Sequence, residues 1–182
     1  MNQYKFQFGT TRIPGEKADT IVNNYPNNHI RHIIVLIRNQ IYKVVVIDDK
    51  GNRASVKELK RLFYYASKDS LDSNKQAPVG LLTAGHRDNW FNAYTKLSKS
   101  NSKEFKIIQD ALFAVCLDDS SSRKSLDQSH LQIFHNFNAR NRWFDKAIQL
   151  IVSSNGRAGV NGEHTPADAV IPGRMMDYII GR

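Results

Sequence analysis

Residues 32–48 read HIIVLIRNQIYKVVVID and contain two runs that are rich in isoleucine and valine, residues 32–38 and 40–48. The gap between the two runs is too short for a crossover connection, so we predict an antiparallel hairpin. Apolar residues occupy both alternating positions of each run, which is typical of strands that are covered on both faces. This stretch therefore predicts a layered α/β structure.

The rest of the chain supports the same fold class. Residues 56–67 have the apolar spacing of an amphipathic helix, and shorter strand-like and helix-like segments alternate after it. We predict a strand at 78–83, helices at 89–97 and 102–112, a strand at 113–117, and helices at 128–136 and 172–180. Residues 1–30 contain many turn formers and little periodicity, so we expect them to be irregular. The order of elements predicts an α/β fold with a mixed sheet flanked by helices.

A second hairpin is predicted towards the carboxyl end of the chain. Residues 148–153 are rich in apolar side chains, and residues 158–163 form the returning strand. Between them, Asn155 and Gly156 are the strongest short signal for a tight hairpin turn. This arrangement places His164 at the end of a strand.

His164 is the best candidate in the chain for chemistry. A neutral imidazole can take a proton from a hydroxyl or a thiol near neutral pH. Pro166 ends strand pairing, because proline lacks the amide donor, so Asp168 can fold back towards the ring. A carboxylate there would fix the tautomer of the imidazole and stabilise the imidazolium. A structural histidine would show the same four-residue spacing, so the spacing alone leaves both interpretations open.

Composition and charge limit the classes of protein to consider. A chain of 182 residues can bury a sizeable core within one domain. The sequence has no run of about 18 apolar residues and begins with polar and charged residues, so we expect neither a membrane span nor a secretory signal. The net charge of +9 suggests a polyanionic partner. The basic residues are spread evenly, however, so we expect no nucleic-acid partner, and a basic nucleic-acid-binding domain is kept as a competing interpretation.

The side chains that usually bind metals do not form a recognisable site. Cys116, the single cysteine, lies in an apolar run and is predicted to be a buried thiol. No histidine pairs closely with it, and no two histidines share the His-x-x-x-His spacing, so we expect no metal site. The glycines do not form a phosphate-binding loop followed by a helix, so no nucleotide site is expected either.

Four blocks of sequence, taken together, are specific. They are FGTTRIPG at 8–15, PVGLLTAGHRDNW at 78–90, NRWFDKAIQLIV at 141–152 and GVNGEHTPAD at 159–168. With these blocks in this order and spacing, the chain resembles the carnitine/choline acyltransferase family, and carnitine acetyltransferases in particular.

The resemblance implies coenzyme A-dependent transfer of an acyl group to and from the hydroxyl of carnitine, on a fold like that of chloramphenicol acetyltransferase. His164 matches the general base of the family, and Asp168 matches the acidic residue that orients it. Coenzyme A or acyl-coenzyme A would be a co-substrate and not a bound cofactor, and no residue is assigned to binding it. Arg142 is predicted either to pair with Asp168 or Glu163 or to be a solvated or purely structural arginine.

The chain differs from members of this family in length. Family members are much longer and have two similarly folded halves, so residues 1–182 are predicted to be a single partial domain from the middle of the catalytic region. Without the complementary half we expect weak or no turnover and exposed apolar surface. The alternatives are a non-catalytic interaction module or a degenerate fragment that retains the fold. The sequence does not separate acyl-chain lengths, carnitine from choline, or a mitochondrial, peroxisomal or cytoplasmic location.

Overall fold

The computed structural model of the chain describes residues 3–26, 29–72, 76–119, 125–135 and 139–181. Within these ranges the chain forms seven strands and five α-helices. The strands are β1 (Thr10–Ile13), β2 (Thr20–Asn23), β3 (His32–Ile37), β4 (Gln40–Val45), β5 (Ala114–Asp118), β6 (Ile148–Ser153) and β7 (Ala158–Gly162). The helices are α1 (Val56–Asp72), α2 (Arg87–Ser100), α3 (Ser102–Asp110), α4 (Leu126–His135) and α5 (Val170–Ile180).

Five strands form one mixed sheet in the order β4-β3-β5-β6-β7. β3 runs parallel to β5 and β5 runs parallel to β6, whereas β4 and β7 pair antiparallel at the two edges. The predicted α/β fold with a mixed sheet is therefore confirmed, and so are both predicted hairpins. The β6–β7 hairpin turns at Gly156, whose φ of 83° lies in the left-handed region that glycine adopts without steric cost.

Both faces of the sheet are covered, as the two apolar runs of the sequence predict. One face packs against α2, α3 and Trp143, and the other packs against α1. The strand side chains on the first face are Ile34, Leu36, Ala114, Cys116 and Ile151, and those on the second are Ile33, Val35, Val44 and Val115. Burial of each large aliphatic side chain contributes about 1.5–3 kcal/mol, so these two layers are the main source of stability.

Cys116 lies in the first of these layers and is fully buried. Burial away from water raises the pKa of its thiol to about 12, because the thiolate would lose its hydration. The prediction of a buried thiol is confirmed.

The segment predicted as a strand at 78–83 is instead a 3-10 helix, Val79–Ala84. A side chain at Gly80 would lie 2.0 Å from the carbonyl oxygen of Arg142, so this backbone approaches its neighbour too closely for any other residue. The hydroxyl of Thr83 donates to the carbonyl of Gly80 at 2.6 Å and accepts from the amide of Phe144 at 2.9 Å. Contacts with a distant segment therefore decide the conformation here, and the apolar run misled the prediction.

The expectation that residues 1–30 are irregular is also wrong. β1 and β2 form an antiparallel ribbon, and β1 also pairs with the segment that precedes β6. The amide of Arg12 donates to the carbonyl of Asp145 at 2.8 Å, and the amide of Ala147 donates to the carbonyl of Thr10 at 3.2 Å. These partners lie far away in the sequence, so no local periodicity could reveal them.

The five helices expected from periodicity are all present, with shifted ends. α1 extends to Asp72, and α2 begins at Arg87, with His86 as its N-cap residue. The last residue of the predicted helix at 128–136 lies outside the described residues. No helix of the described ranges combines the length and apolar character needed to cross a membrane.

Candidate functional site

His164 follows β7 after one intervening residue and is exposed to solvent. It lines an open pocket of about 370 Å³ between the end of β7 and the start of α5. Other residues of the pocket wall are Val160, Gly162, Glu163, Pro172 and Met176. The pairing of Gly162 with Ile148 fixes where the strand ends. The ring is therefore accessible to a small molecule that enters the pocket.

Asp168 forms hydrogen bonds with Gln3, and none joins it to His164 within the described residues. Its Oδ2 accepts a hydrogen bond from Nε2 of Gln3 at 2.8 Å, and its amide donates to Oε1 of Gln3 at 2.9 Å. Within the described ranges no hydrogen bond or ion pair reaches the ring nitrogens of His164 or Oδ1 of Asp168. The two predicted residues thus share one loop, but the carboxylate is turned towards the amino-terminal 3-10 helix at Gln3–Phe6.

The predicted pairing of Arg142 with Asp168 or Glu163 is wrong. Both terminal nitrogens of its guanidinium bind Asp118, Nη1 to Oδ1 at 2.9 Å and Nη2 to Oδ2 at 2.7 Å. The remaining donors go to the carbonyls of Gln132, Ile133 and Asn141. Asp118 ends β5, which lies beside β6, so the pair is buried between strand end and loop. Arg142 is a structural residue, fully enclosed by its partners.

Glu163 is the carboxylate that the structure places beside His164. Its Oε1 accepts from the hydroxyl of Thr165 at 2.7 Å, and its Oε2 accepts from the amide of Thr165 at 3.0 Å. Nη1 of Arg12 forms an ion pair with Oε1 at 3.1 Å. From the sequence, Glu163 was predicted only as a partner of Arg142, and no role was predicted for Arg12. The only sequence signal for the two residues was that Arg12 lies in the block at 8–15 and Glu163 in the block at 159–168.

Lys146 is fully buried two residues before β6, and its ammonium group contacts β1 and α3. Its Nζ donates to Oγ1 of Thr11 at 2.9 Å and to the carbonyls of Ile108 and Gln109 at 3.1 and 3.0 Å. In the described residues no carboxylate pairs with it. Burial therefore lowers the pKa of the Lys146 ammonium to about 7, because the charged form has lost its hydration.

This shift predicts a specific pH dependence of stability. Between about pH 7 and pH 10.5 the unfolded chain keeps the proton of Lys146 and the folded chain releases it, so stability rises with pH. Compared with Lys146→Met, the native chain should gain up to ~1.4 kcal/mol per pH unit in this interval. Urea unfolding of both proteins at pH 7 and pH 9.5 measures the difference. A difference that is independent of pH would contradict the shift.

The described residues contain no group of three or more His, Cys, Asp or Glu side chains that could hold a metal ion. His164, the carboxylate of Glu163 and the open pocket lie together at the end of β7.

Comparison with known proteins identifies the family. The family model described as "Choline/Carnitine o-acyltransferase" matches residues 1–182. Human carnitine O-acetyltransferase is 35% identical over 191 aligned residues, which cover 99% of this chain and 30% of the human protein. The pigeon (Columba livia) carnitine O-acetyltransferase is 34% identical with the same coverage.

A second group of relatives differs in its acyl group. Mitochondrial carnitine O-palmitoyltransferase 2 of Macaca fascicularis is 33% identical over 180 residues, which cover 98% of this chain and 26% of the relative. The chain thus spans 26–30% of the length of these curated relatives. With a family match along its whole length, the chain belongs to the choline/carnitine O-acyltransferase family.

Proposed function

We propose that this chain carries the general base of a coenzyme A-dependent acyl transfer to the hydroxyl of carnitine, and that the base is His164. The observation that carries the proposal is an exposed imidazole at the end of β7, facing an open pocket, in a chain of the carnitine acyltransferase family. Relatives of this chain are a carnitine O-acetyltransferase and a carnitine O-palmitoyltransferase, so carnitine is the acceptor that they support.

The chemical step needs only a base that can hold one proton. The imidazole of His164 would take the proton of the carnitine hydroxyl while the oxygen attacks the carbonyl carbon of the acyl thioester. Collapse of the tetrahedral intermediate breaks the carbon–sulfur bond, and the imidazolium returns the proton to the coenzyme A thiolate. In the reverse direction the same ring deprotonates the thiol. No acyl-enzyme forms, so no nucleophilic serine or cysteine is required.

Asp168 is proposed to orient His164 during the reaction. It lies four residues after the histidine on the same loop, and its Oδ1 has no partner within the described ranges. That oxygen is available to a ring nitrogen, whereas Oδ2 is held by Gln3. A carboxylate behind the ring would fix the tautomer and stabilise the imidazolium.

We also propose that the mixed sheet is part of a chloramphenicol acetyltransferase-like fold and that a complementary half closes the pocket. α5 forms part of the pocket wall but has no buried residue, and Val170, Tyr178, Ile179 and Ile180 are exposed. Exposed apolar side chains of this kind support a surface that another polypeptide covers. The relatives are long enough to supply such a half, because this chain matches only 30% of their length.

A hybrid enzyme tests the proposal. The segment of human carnitine O-acetyltransferase that aligns with this chain is replaced by residues 1–182, and release of the coenzyme A thiol is followed with a chromogenic thiol reagent. We expect acyl transfer from acetyl-coenzyme A or palmitoyl-coenzyme A to carnitine, and none to choline. A hybrid that folds, as judged by circular dichroism and thermal unfolding, but transfers no acyl group to carnitine would contradict the proposal.

A further inference from the structure

The turn at residues 163–165, which carries His164, is closed by the carboxylate of Glu163. Glu163 precedes the histidine, and its two oxygens accept from the amide and the hydroxyl of Thr165, which follows the histidine. The side chain of Glu163 thus closes the three-residue turn 163–165, at whose centre His164 lies. The amide of Glu163 donates to the carbonyl of Ala147 at 3.1 Å, which anchors the first residue of the turn to the sheet.

The Glu163 carboxylate is held in turn by Arg12. Nη1 of Arg12 lies 3.1 Å from Oε1 of Glu163, and the glutamate side chain is only 8% exposed. A carboxylate that is so far removed from water needs a charged partner, and Arg12 is the one that the structure supplies within the described ranges. The hydrogen bonds that close the turn therefore depend on the position of a guanidinium on β1.

Arg12 is itself fixed by an ion cluster. Its Nε contacts Oδ1 of Asp145 at 3.0 Å and Oδ2 of Asp19 at 3.5 Å. Arg87, in the first turn of α2, contacts the same two carboxylates at 2.8 and 2.7 Å. Asp145 is 1% exposed and also accepts from the indole nitrogen of Trp90 at 2.6 Å. Each arginine thus bridges the same two carboxylates, which holds both guanidinium groups more firmly than a single exposed ion pair would.

We propose that Arg12 and Glu163 are positioning residues that hold the 163–165 turn, and with it the imidazole of His164, in the orientation needed for proton transfer. This role rests on the function proposed for His164. Through Arg12 the β1–β2 ribbon would contribute to the reaction. The pairing of β1 with the segment at Asp145 fixes the position of the Arg12 guanidinium. The cluster joins residues from β1, α2, the segment before β6 and the end of β7 at one point beside the pocket.

Amide exchange in the full chain tests the role without any need for turnover. In Glu163→Gln and in Arg12→Gln we expect the Thr165 amide to exchange about tenfold faster. Glutamine has one acceptor oxygen for the two Thr165 donors and has lost the charge that pairs with Arg12, and Arg12→Gln displaces the carboxylate. The Glu163 amide, which is bonded to the backbone of Ala147, is the internal reference and should change much less. The ring resonance of His164, assigned by its absence in His164→Ala, should broaden or shift in both variants.

A double variant shows whether Arg12 acts through Glu163. If it does, Arg12→Gln combined with Glu163→Gln changes the Thr165 exchange rate no more than Glu163→Gln alone. Additive effects would overturn the proposal, and so would unchanged Thr165 exchange in a folded Glu163→Gln.

Glu163→Gln leaves Arg12 bound to Asp145 and Asp19, so this variant keeps the cluster if Arg12→Gln fails to fold. Arg61→Gln, which breaks the exposed pair with Glu58 on α1, is the control and should change neither signal.

The hybrid enzyme links the positioning role to catalysis. Glu163→Gln should lower kcat about tenfold or more and leave the KM for carnitine within about twofold, because the base is misplaced while the substrate is still bound. A change in KM alone would overturn the role. If His164→Ala leaves turnover unchanged, the proposed function fails, whereas the exchange measurements still decide whether Arg12 and Glu163 hold the turn.

Discussion

Replacement of His164 by alanine is expected to lower kcat of the hybrid enzyme by at least about 100-fold, since general-base assistance contributes about 10²–10⁴-fold. The proton of the attacking hydroxyl would then have to pass to water or to a carboxylate that is less suited to accept it near neutral pH. Thiol release from acetyl-coenzyme A in the presence of carnitine measures the loss. Equal turnover of the hybrid enzyme and its His164→Ala variant would show that His164 is not the general base.

The same substitution should leave stability unchanged, which separates a chemical role from a structural one. The ring of His164 is exposed and makes no hydrogen bond within the described ranges, so its removal should change the free energy of unfolding by less than ~0.5 kcal/mol. His130→Ala is the matched control, because His130 is another exposed histidine and lies on α4, outside the pocket wall. It should alter neither kcat nor stability. A His164→Ala variant that unfolds would indicate a structural histidine.

The largest effect on stability is expected from Arg142→Met. Asp118, whose side chain is 1% exposed, would remain buried without its charged partner, and the carbonyls of Gln132 and Ile133 would lose their donors. Breaking a buried pair in this way costs about 3–5 kcal/mol. Urea unfolding of the native chain and the variant measures the loss. A loss below about 1 kcal/mol would show that the pair is not the restraint that its geometry indicates.

Two further variants control this experiment. Arg142→Met combined with Asp118→Leu removes both charges, and it should recover much of the stability, because an apolar pair of similar size is often as stable as a buried ion pair. Arg61→Gln removes an exposed ion pair and should cost less than ~0.5 kcal/mol. If the double variant is as unstable as the single one, the loss comes from packing and not from the uncompensated carboxylate.

The local patterns of the sequence predicted most of the regular structure. The two apolar runs at 32–48 and the Asn155-Gly156 turn became the two hairpins, because strand alternation and turn chemistry depend on neighbouring residues. The same patterns placed His164 after the end of a strand, and the structure adds the pocket beside it. They failed at Val79–Ala84, where the absence of a side chain at Gly80 and the hydroxyl of Thr83 serve a contact with a distant segment.

The sequence by itself determined the α/β class, the two hairpins, the helices and the family, because periodicity, turn residues and ordered motifs are properties of the chain read along its length. Only the tertiary structure decided which charges meet. Arg142 binds Asp118 and not Glu163, Glu163 binds Arg12, and Asp168 binds Gln3 and not His164. The physical reason is that a charged or polar side chain pairs with whichever partner folding brings within about 3 Å, and residues far apart in the sequence give no local sign of that encounter.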